Sequence, residues 1–125
     1  MRWAIIPAVV VSAALLAAAA LLVLPTPLVA APKAKDAGEC FIFADLALNA
    51  AAHAKHGVSR ATFDAIAADI YDLNTDEARE LARHIVDAAW RAAEAGAVPG
   101  DFATILMRVC RMRGGNMDSI LGVSL

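Results

Sequence analysis

The sequence predicts an all-α protein: a small four-helix domain with one disulfide, preceded by an apolar N-terminal segment. Three observations lead there. Beyond residue 38 the apolar residues recur at helical spacing, and no alternating strand pattern reaches four residues. Gly and Pro fall at the boundaries of the periodic stretches. The only two cysteines, Cys40 and Cys110, lie near the two ends of the periodic part, so a single intramolecular pairing exists.

At 125 residues the chain has room for one small domain. Its 60% hydrophobic content is uneven, because 24 of the first 30 residues are hydrophobic and only Arg2 is charged there. Alanine supplies 31 of the residues, so the large apolar side chains of the remainder make a modest core. After residue 30, 10 Lys and Arg face 13 Asp and Glu. A general nucleic-acid binder carries the opposite balance, so nucleic acid is excluded as a partner.

The apolar run Ile5 to Leu24 is interrupted only by Pro7 and Ser12, as suits a bilayer or a translocon. Pro25 and Pro27 break the helix just before the small residues Ala30 and Ala31, which favours cleavage after Ala30. The run also has the length of a membrane span, so the alternative is an uncleaved anchor. The expected organisation is therefore a signal peptide or anchor over 1–30, a linker over 31–38 and a helical domain over 39–125. Either form places the domain outside the inner membrane, periplasmic or secreted. An oxidising compartment would join Cys40 to Cys110, and closing a loop of that length stabilises a fold by roughly 4 kcal/mol in the chain-entropy model.

Four helices follow in order. The first spans Glu39 to His56, opened by Asp36-x-x-Glu39 and closed by Gly57. Its apolar arc of Cys40, Phe41, Phe43, Ala44, Ala47, Leu48, Ala51 and Ala52 covers more than half the circumference, which marks it as the central helix. Asp45, Asn49, His53 and His56 form its narrow polar stripe. The second is capped by Ser59 and runs to Asn74, with Phe63, Ile66, Ile70 and Leu73 inward and Asp64, Asp69 and Asp72 outward. Thr75 caps the third, which ends at Ala95 before Gly96 and carries the i to i+4 pairs Arg83 with Asp87 and Asp87 with Arg91. Asp101 caps the fourth, Phe102 to Arg113, with Phe102, Ile105, Leu106, Val109 and Cys110 inward and Arg108 and Arg111 outward. The tail from Asn116 is apolar enough to dock.

The candidate sites are few. Asp72-x-Asn74-x-Asp76 copies the first three ligands of a calcium loop, but Glu77 stands where that loop needs Gly and Arg83 where it needs a bidentate Glu. His53 and His56 lie at i and i+3, the spacing of a metal-chelating pair, yet a firm site needs a third ligand. No metal or other cofactor is expected. His84 sits between Glu80 and Asp87, but no serine lies in a nucleophile elbow, so the chain is not expected to be an enzyme. Trp90, at the border of its helix's apolar face beside Arg79 and Arg83, is the candidate partner-binding residue together with those arginines. Acidic Asp64, Asp69 and Asp72 against basic Arg108, Arg111 and Arg113 suit a charged protein partner or a homo-oligomer. The expected function is that of an exported protein-binding domain, such as an inhibitor or immunity-type factor. A periplasmic stress chaperone and a membrane-tethered subunit of an envelope assembly are the alternatives.

Overall fold

A computed structural model describes residues 31–122, so the expected signal peptide or anchor over 1–30 and the last three residues lie outside the described part. The described chain is helical: α1 (Ala37–Lys55), α2 (Arg60–Ile70), α3 (Asp76–Glu94), α4 (Pro99–Met112) and a short α5 (Asp118–Leu121). There is no strand among the described residues, and no helix there is long and apolar enough to cross a membrane.

Local chemistry sets most boundaries. The Asp36 carboxylate accepts the Glu39 N–H at 2.8 Å, so α1 starts at Ala37, two residues ahead of its predicted start. At its other end Val58 N–H donates to the His53 carbonyl and Gly57 N–H to the Ala54 carbonyl, a Schellman closure in which Gly57 takes a positive φ of 78°. The third helix ends the same way around Gly96. Ser59 and Thr75 cap α2 and α3 through their hydroxyls, as predicted.

Two boundaries differ from expectation. Helix α2 stops at Ile70 and not at Asn74, because Tyr71 turns extended and carries its hydroxyl across to α1. Arg79 then satisfies the Leu73 carbonyl at 2.9 Å in the connector. Asp101 does not cap α4, since Pro99 occupies the first helical turn with Val98 as N-cap and Asp101 falls inside that turn. Proline is favoured there because its fixed φ suits the helix and its missing N–H has no partner to lose.

Helix α1 is central, packed along α3 on one side and antiparallel to α4 on the other. Cys40 at its start is bonded to Cys110 at the end of α4, with Cα atoms 5.8 Å apart and both residues buried. Alanines 47, 50 and 51 meet Ala88, Ala89 and Ala103 in a narrow core completed by Phe43, Leu46, Phe63, Leu81, Ile85 and Leu106. Small side chains let helix axes approach closely. The predicted inward faces need four corrections: Phe41 and Leu48 on α1, Ile70 on α2 and Ile105 on α4 are exposed. The apolar arc of α1 is wider than its neighbouring helices cover.

The segment 31–38 is not a free linker. Ala31 and Ala34 are buried, and Ala34 N–H donates to the Gly115 carbonyl at 3.0 Å. A Cβ on Gly115 would lie 2.1 Å from the Ala34 oxygen, and its φ is +90°. The described part of the tail docks, with Met117 and Leu121 buried and Arg91 donating to the Leu121 carbonyl at 2.7 Å.

Replacing both cysteines with alanine is expected to cost about 4 kcal/mol in urea unfolding, the loop-closure contribution of a 70-residue separation. An unchanged midpoint would contradict that role. Gly115→Ala is expected to cost about 2 kcal/mol or more through strain and clash, whereas Gly114→Ala, with φ +60° and no atom within 4 Å, loses only its conformational share of about 1 kcal/mol. Equal losses at the two glycines would count against the strap formed by Ala34.

Candidate functional site

Of the side chains singled out by sequence, Trp90 and His53 share one cluster around Phe63 and Arg79 and Arg83 share a cleft, but Trp90 does not stand with those two arginines. Trp90 packs against Phe63 with ring centroids 5.5 Å apart and planes tilted by 54°, and the Arg60 guanidinium carbon lies over the indole, 5.6 Å from its centroid. His53 closes the same cluster, with its ring 5.2 Å from Phe63. The arginine beside Trp90 is therefore Arg60, not Arg79 or Arg83, and the indole seals the edge of the core between α2 and α3. Arg60 is held by Asp87 at 2.6 Å and Asp64 at 3.2 Å. Burial works against its cation, yet the two carboxylates outweigh that and hold the Arg60 pKa above its ordinary value.

Arg79 and Arg83 instead line a cleft of about 420 Å³ together with Arg60, Tyr71, Leu73 and Val86. Each of these cations has a carboxylate partner: Asp76 for Arg79, Glu80 for Arg83, Asp64 and Asp87 for Arg60. The expected pairs of Asp87 with Arg83 and Arg91 do not form, because Asp87 reaches across to α2. His84 keeps Glu80 at 3.2 Å and loses Asp87 for the same reason.

The polar stripe of α1 is consumed by structure. Asp45 accepts from the Tyr71 hydroxyl at 2.7 Å and from Asn49 at 3.3 Å, and Asn49 also donates to the Tyr71 oxygen at 2.7 Å. His53 donates from Nδ1 to the Asn49 carbonyl at 2.6 Å. His56 is the C-cap residue of α1, and among the described residues no three His, Cys, Asp or Glu stand where they could hold a metal ion. Burial, and then the Asp45 carboxylate that favours the protonated hydroxyl, push the Tyr71 pKa up to about 12, with Asn49 opposing.

A second concavity, which the sequence reading missed, runs between α1 and α4 with a volume of about 770 Å³. Phe41, Leu48, Met107 and Met112 line it, with Arg108 and Arg111 along the α4 side and Asp45 on the α1 side. Phe41 is 67% exposed, Met112 76% and Leu48 39%. Among the described residues neither Arg108 nor Arg111 pairs with a carboxylate. The groove therefore offers open apolar side chains next to unneutralised guanidinium groups. The signal for it in the sequence was the excess width of the α1 apolar arc.

No family model, curated protein or solved structure matches this chain, so the groove is read from its own chemistry.

Tyr71 is the only tyrosine in the chain, so tyrosinate absorbance reads it alone. The expected midpoint is about 12 in the folded protein and about 10 in denaturant. Because the folded value is the higher, the stabilisation is complete below pH of about 10 and is lost between about 10 and 12. Solvent access reduces the loss to about 1 kcal/mol. Equal midpoints in the two states would contradict the hydrogen bond to Asp45.

Proposed function

We propose that this chain is a small exported helical domain that acts by binding another protein through the α1–α4 groove. The observation that carries the reading is the pairing of exposed Phe41, Leu48 and Met112 with unpartnered Arg108 and Arg111 in one concavity. Open apolar side chains next to free cations select an amphipathic segment that brings apolar residues and carboxylates. The buried disulfide supports the placement in an oxidising compartment, since such bonds persist in periplasmic and secreted proteins. Inhibitor or immunity-type action would follow from occupying such a segment of a partner.

A fluorescent amphipathic helical peptide with leucines on one face and glutamates on both flanks is the direct probe for the full chain. It should bind, and the same peptide with lysines in place of the glutamates should not. Reversing Arg108 and Arg111 together to Glu is expected to weaken the glutamate peptide about tenfold or more, with stability within about 0.5 kcal/mol because both sites are exposed. Equal binding of the two peptides, or none of either, would overturn the reading.

A further inference from the structure

We propose that the occupant of the groove is a second copy of this chain, whose α2 tip enters while its own groove receives Ile70 in return; this rests on the groove being a docking surface. The groove calls for an apolar side chain flanked by carboxylates, and the chain presents one. Among the described residues the exposed large hydrophobics outside the groove are Ile42, Ile70, Val98 and Ile105. Glu39 and Asp45, at helical spacing from Ile42, already accept from Lys35 N–H and from Tyr71 and Asn49. Val98 and Ile105 have Asp101 alone, and only Ile70 has more than one uncommitted carboxylate beside it. It has two, Asp69 and Asp72, both exposed, and neither forms an ion pair among the described residues. Ile70 itself is 65% exposed at the end of α2.

The placement of knob and groove decides the symmetry. Tyr71, next to Ile70, donates its hydroxyl to Asp45, and Asp45 lines the groove. The residue that follows the knob is therefore tied to the rim of the groove. Two copies facing each other about a two-fold axis can each insert Ile70 into the other, which closes the assembly as a dimer. The reciprocal arrangement doubles the contact, as needed to approach the roughly 1,200 Å² of a stable interface. It sets Asp69 and Asp72 against Arg108 and Arg111 twice, whereas docking groove on groove would oppose arginine to arginine.

The test is a charge swap on the full-length sequence, expressed from its own start and purified as the cell delivers it. Light scattering after size exclusion should give twice the chain mass at low salt, and the dimer should weaken in about 1 M salt, where charges are screened within about 3 Å. Asp69→Arg with Asp72→Arg should be monomeric, and so should Arg108→Glu with Arg111→Glu. Mixed in equal amounts, the two variants should regain the dimer mass, because one contact is restored with reversed sign and the other with its native sign; this recovery also shows that each variant is folded. A monomeric wild type, or variants that stay apart on mixing, would overturn the dimer. The D69R/D72R variant keeps its groove, so if it binds the glutamate peptide while the wild type is monomeric, the dimer fails and the docking groove stands. In a dimeric wild type the peptide has to displace Ile70 of the second copy, so it should bind the D69R/D72R monomer more tightly than the wild type; if it binds neither protein, the groove reading fails as well.

Discussion

The seam between α1 and its two neighbours is the constraint on which the rest of the molecule depends. Its alanines bring the helices close, but each removes little apolar area from water, and at about 25 cal/mol per Å² the gain per residue is small. Among the described residues, besides the two cysteines, the large side chains that are almost fully buried are Phe43, Leu46, Phe63, Leu81, Ile85, Leu106 and Met117. A core that thin leaves both ends of the bundle in need of reinforcement. The Cys40–Cys110 bond supplies it at the start of α1. At the other end His53, Phe63 and Trp90 stack under Arg60, and the guanidinium ties α2 to Asp87 on α3.

Where local chemistry decides, the sequence was readable. The hydroxyl caps Ser59 and Thr75, the glycine closures at 57 and 96 and the cysteine pairing all depend on residues close in sequence or on a count of two. Where distant residues decide, it was not. The end of α2 is set by Tyr71 reaching Asp45, 26 residues away, and the partner of Asp87 is set by Arg60, 27 residues away. An i to i+4 pair on an exposed helix is worth a few tenths of a kcal/mol. A partly buried guanidinium over an indole gains more from the same carboxylate, so the long-range pair prevails.

The groove illustrates the same limit from the other side. Periodicity marked Phe41 and Leu48 as apolar and on one arc, which is correct, but periodicity does not say how much of an arc its neighbours cover. Only the crossing of α1 and α4 shows that these two residues stand at the rim with Met112. The outward placement of Arg108 and Arg111 was legible, whereas their lack of carboxylate partners required the positions of every acidic residue near them.

That contrast in pairing separates the two concavities chemically. The cleft lined by Arg60, Arg79 and Arg83 holds three cations, but each already has a carboxylate partner, so an incoming anion would have to break an existing ion pair. Desolvating a guanidinium to replace one carboxylate by another returns little net energy. At the α1–α4 groove no intramolecular pair has to be broken, and Phe41 and Met112 lose unfavourable hydration when covered. Binding energy is therefore more available between α1 and α4 than around Trp90, Arg79 and Arg83, even though those three residues look more like an interface when read as a string.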